Sequence, residues 1–579
     1  MDEKTNTQSG KFKGYILGFI FACSAGLLLG WAGPLLELVG IEGESLFTHP
    51  LFYVALLIQL VGGVLNFLAL SYLRPAIVFP IYGSIQIFES VIVAQFLLPA
   101  TNPWHNLYIA SLVAIVIALI LIAYSLSKKP QEEVVDLLPP SPTLQSPDAM
   151  INEAVAAVFK LLDINLMAPY GRIRHRWAMA GTKYTHPTLV ESCYISLIWN
   201  LWLPQIAIEI LEPFLDAQDA EGRLPNQLKM FSKSYIVQPP IIAHCLAALD
   251  VPLEGLQRIY PKLKAYQQWY NQNRRTPEGL FFWKVPAESG MSEAPRFRDV
   301  RDCSHILPVD LNVYIVLQNR ALAMMARKLG IEAEAIQFDR DAAELAQKIQ
   351  ATFWDKKAKI YYDWDLNKKG FVEIAALPNF LPIVAGIPDE NQFEALLTHL
   401  SNAETFNTRI PFPMISLADT NFNPRKESGA VYIALTYLIL GGLRLYKREE
   451  LVSDLTFKLI QGVISGQDTR TFYEYYSPDQ SRFPLVTKPS ADYIGSTGLV
   501  NTLLIEDILG LRLSGNEIHL HPRIPAVWRN QAIIYKIPTR ELTLTMQLQD
   551  TNEISVELSI AKRTEKLTMK NYHEIKLNF

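Results

Sequence analysis

Two short strings place carboxylates where they could do chemistry. In ESGMSEAPRFRDV, residues 288–300, Glu288 and Glu293 bracket a Gly-Met-Ser run that leads into Pro295 and Arg296. In FYEYYSPD, residues 472–479, Glu474 stands between Tyr473 and Tyr475. A carboxyl in a pocket loop can give up or take a proton, whereas the same group in a solvated turn does nothing. A third pair, Gln86 and Glu89, lies in an apolar run, where such groups are costly unless they face protein or water. That pair is either a substrate or proton site or an inter-helix hydrogen bond. The ten histidines show no HxxxH or HExxH spacing, so no metal is assigned.

The elements that must carry these residues fall into two parts. A chain of 579 residues is long for one domain. Half its residues are apolar and 19% are charged, and the apolar excess is concentrated in the first quarter. Segments 15–40, 51–73, 76–98 and 107–126 are each long enough to cross about 30 Å of hydrocarbon. Lys4, Lys11, Lys13, Arg74, Lys128 and Lys129 all flank them on one side, which predicts a cytoplasmic N-terminus and a cytoplasmic remainder, in a plasma or inner membrane. The four cysteines, Cys23, Cys193, Cys245 and Cys303, form no CxxC pair, in keeping with a reducing compartment. A net charge of −4 gives no reason to expect nucleic acid as a partner.

Residues 127–150 read as an extended linker, because Pro139, Pro140, Pro142 and Pro147 cannot sit inside a helix. From 151 to 514 the pattern is helical. Ala342, Leu345, Ile349 and Phe353 mark one buried stripe, and Tyr314, Leu317, Ala321 and Met324 another, with Gly330 as a stop. Further helices are expected at 194–216, 239–250, 257–275, 391–401, 428–446, 449–464 and 494–507. After 515 the period becomes two, through Leu542, Leu544, Met546 and Leu548 and then Ile554, Val556, Leu558 and Ile560, so a small β unit closes the chain. Trp199, Trp202 and Trp354 sit in helical stripes and read as core.

Six strings occur in one order: LEPFLDAQDAEGRLPN, VQPPIIAHCLAAL, AESGMSEAPRF, VDLNVYIVL, FWDKKAKIYYDWD and FYEYYSPD. This succession, over roughly residues 165–530, resembles glycoside hydrolase family 63, in particular its mannosylglycerate hydrolase-like branch, and more distantly trehalases. The resemblance implies an (α/α)6 toroid over 151–514, and with the apolar segments and the closing alternation this gives a mostly α chain: a four-helix transmembrane domain (1–126), a linker (127–150), the toroid and a C-terminal β unit (515–579). It also implies inverting hydrolysis of an α-glycosidic bond in a small glycoside or glycolipid head group, with no cofactor. The stretch GGVLNFLALSYLRPAIVFPIYGSIQIFES resembles half of a drug/metabolite transporter. A half-unit implies pairing, hence a homodimer through the membrane domain; a plain anchor is the other reading.

In that family the base is a Glu in a run like EYYNP, and Glu474 matches it. The acid is an Asp in a run like ESGMDNSPRW, where this chain has Ser292, with Glu293 next door as the substitute. A serine hydroxyl cannot serve as a general acid here. The resemblance further assigns Glu191, Gln238, Glu288, Arg296, Asp310, Asn312 and Tyr476 to the substrate site, and Trp283, in the loop FFWKVP, reads as either core or an aromatic face that stacks on a sugar ring. The family's WDS/F run appears as VES at 190–192, and its WRGPxW wall as ESGAVY at 427–432, without the tryptophans and the arginine. A sugar-binding domain that has lost hydrolysis and serves the membrane unit is therefore the alternative, and a transporter with an accessory barrel is a third reading.

Overall fold

A computed structural model describes residues 138–578, apart from 230, 231, 299, 466–470, 480–491 and 516, together with Val54, Leu57 and Val61. The chain divides into units Met1–Leu137 and Leu138–Phe579. The four apolar segments, with Gln86 and Glu89, lie outside the described residues, save that Val54, Leu57 and Val61 are helical and exposed. Among the described residues no helix is long and apolar enough to cross a membrane.

The second unit is built on a closed ring of six inner elements. Helix Leu189–Trp199 touches Ile242–Ala248, which touches Val309–Lys328. That helix touches the 3-10 element Leu377–Ile383, which leads to Ile433–Leu445 and then to Leu499–Thr502, and the last returns to the first. Inner elements are wrapped by protein on all sides, so their sequences are apolar nearly all round. Helix Leu189–Trp199 is buried throughout except at Val190 and Glu191. Outer helices show a single stripe instead. In Glu332–Phe353 only Ala335, Ala342, Leu345, Ile349 and Phe353 are buried, and Leu253–Asn273 and Glu390–Ser401 are amphipathic in the same way.

Local signals set the element ends. Asp148 caps Ala149–Ile164 by accepting from the amides of Met150 (2.9 Å) and Ile151 (3.2 Å), and Asp389 with Gln392 forms a capping box on Glu390–Ser401. Gly330, at φ +74°, ends Val309–Lys328 and lets the chain turn back into its outer partner. The expected helix 194–216 is three pieces, Leu189–Trp199, Pro204–Glu209 and Glu212–Asp216, because Pro204 and Pro213 each start a new helix. In the fourth inner element the prolines Pro378 and Pro382 keep Leu377–Ile383 in 3-10 form.

The chain closes in two antiparallel sheets. One runs Thr143–Gln145, Ala532–Ile537, Leu542–Leu548, Glu553–Ile560, Arg563–Lys570, and the other Ile575–Asn578, Glu517–Leu520, Leu511–Ser514. Leu544 pairs with Leu558 and Met546 with Val556, so the alternating apolar set points to one buried face. Ile560, at the strand end opposite Leu542, is only half-buried. Thr143–Gln145 belongs to the stretch expected as a linker: it is an edge strand, and Leu144 is buried there.

Candidate active site

The ring leaves a pocket of about 300 Å³ at the end where most of the inner helices begin, a size typical of a small-ligand site. Glu191 enters it from the first turn of Leu189–Trp199, and Gln238 from the segment before Ile242–Ala248. Glu293 comes from the loop before Val309–Lys328, Glu427 and Tyr432 from the start of Ile433–Leu445, and Glu474 and Tyr493 from the approach to Leu499–Thr502. Helix N-termini carry partial positive charge, which favours carboxylates at this mouth. Tyr184, Tyr194 and Tyr314 complete an aromatic wall.

Glu474 is half-buried and held from both sides. Its backbone neighbours are tied down: Val431 and Tyr476 exchange hydrogen bonds of 2.8 and 3.1 Å, and the Thr497 hydroxyl donates to the Tyr473 carbonyl at 2.6 Å. The Tyr184 hydroxyl donates to Glu474 Oε1. Burial and then the Glu474 charge push the Tyr184 phenol far above its ordinary range, so it remains a donor.

Among the lining residues, Glu191 Oε2 and Gln238 Oε1 are acceptors buried without a hydrogen-bond partner. Burial also raises the Glu191 carboxyl. Such atoms are rare in folded proteins and suit donors brought by a ligand, such as sugar hydroxyls. Glu427 is half-buried; burial and the nearby Glu474 charge raise its carboxyl, against a hydrogen bond from Tyr432. Glu293 also lines the pocket, but at its exposed rim. Among the described lining residues there is no Lys, Arg or His.

Several expected sugar contacts are instead the scaffold of the 280–297 loop, and none of them lines the pocket. Glu288 is buried and accepts from Arg274 (2.5 and 3.0 Å) and from the Lys284 amide (2.7 Å). Arg296 is buried between Asp310 and Asp363, 3.1 Å from the latter. Asp310, fully buried, also accepts from Trp283 Nε1 at 3.0 Å and the Leu311 amide at 2.6 Å. Trp283 is therefore core, not a sugar platform. Asn312 clamps the Phe281 amide (2.8 Å) and the carbonyls of Phe281 and Pro308 (3.0 and 2.8 Å). Tyr476 is buried with its hydroxyl accepting from the Tyr473 amide at 3.1 Å. Each of these residues is engaged by an internal partner away from the pocket, although Arg296 Nε is buried without one.

Glu427 and the two tyrosines Tyr184 and Tyr493 are among the pocket residues that sequence reasoning missed. The string ESGAVY contains the signal, a glutamate on the segment that matches a family wall. Gly429 explains its shape: a Cβ there would lie 2.4 Å from the Asn423 carbonyl oxygen, so only glycine lets the 423–430 turn close on itself. Away from the pocket, His175, Glu212 and Asp216 cluster closely enough to hold a cation, but Arg258 already neutralises Glu212 and Lys262 neutralises Asp216.

Residues 184–494 match the family model described as the mannosylglycerate hydrolase MGH1-like glycoside hydrolase domain. A mannosylglycerate hydrolase from Rubrobacter radiotolerans is 22% identical over 419 residues, covering 57% of this chain and 92% of the relative. An uncharacterized protein from Borreliella burgdorferi is 22% identical over 287 residues, covering 47% of this chain, which spans 58% of that protein's length. The crystal structure of a family 63 mannosylglycerate hydrolase from Thermus thermophilus in complex with glucose superposes with a TM-score of 0.52 at 20% identity, covering 60% of this chain and 99% of that one.

Proposed function

The chain belongs to the mannosylglycerate hydrolase MGH1-like glycoside hydrolases, and we propose that it cleaves the α-glycosidic bond of a small glycoside or glycolipid head group with inversion. One observation carries this reading: Glu191, Glu293, Glu427 and Glu474 line a single pocket at the mouth of the ring. Inverting hydrolysis needs one carboxylate to activate water and one carboxylic acid to protonate the leaving oxygen, about 6.5–9.5 Å apart. Glu474 is the base, oriented by Tyr184. Glu191 and Gln238 take sugar hydroxyls on their unpartnered oxygens. The proton comes from Glu293 or Glu427, the remaining lining acids.

The relatives' name describes an anionic substrate, a mannoside of glycerate. Carboxylates without a described Lys, Arg or His beside them oppose such a ligand here. At an effective dielectric of ~20, each ionised carboxylate about 8 Å from a substrate carboxylate costs roughly 2 kcal/mol. The substrate is therefore a neutral glycoside. Assayed against α-mannosides and α-glucosides, the protein is expected to release sugar whose first-formed anomer, read by proton NMR, is β. It should favour uncharged aglycones over glycerate by at least about tenfold in kcat/KM. A first-formed α anomer, or preference for the glycoside that carries a glycerate aglycone, would sink the assignment.

Membrane attachment with the hydrolase on the cytoplasmic side is part of the same proposal. It is supported by the four apolar segments and their one-sided basic flanks, and by the exposed helical Val54, Leu57 and Val61 within the second segment.

A further inference from the structure

Ser292 leaves the family's acid position without an acid, and the pocket offers two replacements. We infer that Glu427, not Glu293, delivers the proton to the departing oxygen. This rests on the hydrolase reading above.

The two side chains differ in how they are held. Glu293 sits on the turn Met291–Ala294 at the exposed rim. Glu427 lies on a turn packed so closely that position 429 admits only glycine. That turn is bonded onward through backbone: the Gly429 amide to Lys426 and the Ala430 amide to Glu427, both 3.0 Å, then the Met414 amide to Ala430 at 2.8 Å. Val431, the next residue, pairs with Tyr476, two residues beyond Glu474. Proton donor and base are thus fixed to one another by a short run of main chain, the condition for constant spacing across a sugar ring.

The surroundings of Glu427 also favour a stored proton. Burial raises its carboxyl first, the Glu474 charge and then the Glu293 charge add to this, and the Tyr432 phenol partly opposes them. Tyr184, the other titratable neighbour, stays protonated. Surroundings that favour the proton on one carboxyl and not on the other are the arrangement by which two carboxyls take opposite roles at one pH.

In the step itself, the Glu427 proton moves to the glycosidic oxygen as the bond from that oxygen to the anomeric carbon breaks, and the bonding pair leaves with the alcohol. Water, losing a proton to Glu474, forms the new carbon–oxygen bond on the opposite face. Glu427 ends as carboxylate and Glu474 as acid; exchange with solvent restores both.

The test compares methyl α-glycosides, whose leaving group needs protonation, with the matching α-glycosyl fluorides, whose leaving group hardly does. For Glu427→Gln, kcat on the methyl glycoside is expected to fall at least 100-fold, while the fluoride stays within about tenfold. The basic limb of the kcat–pH profile should vanish with it. Glu293→Gln is expected to slow both substrates alike. Misfolding would also slow both, so retained fluoride turnover is the internal control. The inference is overturned if Glu293→Gln shows the leaving-group pattern, or if Glu427→Gln slows both substrates equally or neither. A wild-type chain that hydrolyses neither series overturns the hydrolase reading and this assignment together.

Discussion

Glu474→Gln is expected to lower kcat about 1,000-fold on methyl glycosides and on glycosyl fluorides alike. General base catalysis is worth roughly 10²–10⁴, and activation of water is required whatever the leaving group. The amide keeps the shape of the side chain and can still meet the Tyr184 hydroxyl through its carbonyl oxygen, so the pocket should persist. Sugar binding, followed by calorimetry, should therefore change only a few-fold. This variant also separates an enzyme from a sugar-binding module, which has no turnover to lose. Unchanged turnover would remove Glu474 from the reaction, and a selective loss on methyl glycosides would make it the acid.

Arg296→Met should cost about 3–5 kcal/mol of unfolding free energy, the usual penalty for removing one partner of a buried ion group. Asp310 and Asp363 would be left facing each other in the core, with Arg296's charge gone and almost no access to water. Denaturant titration at neutral pH measures the loss. It should shrink as the pH is lowered, because burial already raises the Asp363 carboxyl and, once protonated, it no longer needs the cation. Activity should fall too, since Arg296 anchors the loop that carries Glu293 and lies beside the pocket. A loss under about 1 kcal/mol would mean that the three side chains do not share a dry environment.

These two residues also show what a sequence can and cannot tell. Glu474 was singled out because its aromatic neighbours and family position coincide, and the structure places it in the lining of the pocket. Arg296, Asp310 and Asn312 match the family equally well, yet they face inward to hold the loop, and Trp283, read as a candidate stacking face, does the same. A retained residue type says that a side chain is needed, not which way it points, and direction depends on partners up to 67 residues away. Glu427 was overlooked because its string was read for the tryptophans and arginine it lacks. For the fold, the stripe Ala342, Leu345, Ile349 and Phe353 is buried as its spacing predicts, as are Leu542, Leu544, Met546 and Leu548. Leu377–Ile383 carries no such periodic stripe, because two prolines impose a three-residue turn that only the ring context makes a wall.

The seam where Leu499–Thr502 meets Leu189–Trp199 has a consequence for how the molecule is made. About 300 residues separate the two sides, so a nascent chain holds an open arc of helices until its late segments leave the ribosome. Glu191 and Glu474 come together only at that last moment. Until then the apolar inner helices have one uncovered flank, and it is during synthesis, not in the finished protein, that they most need a chaperone.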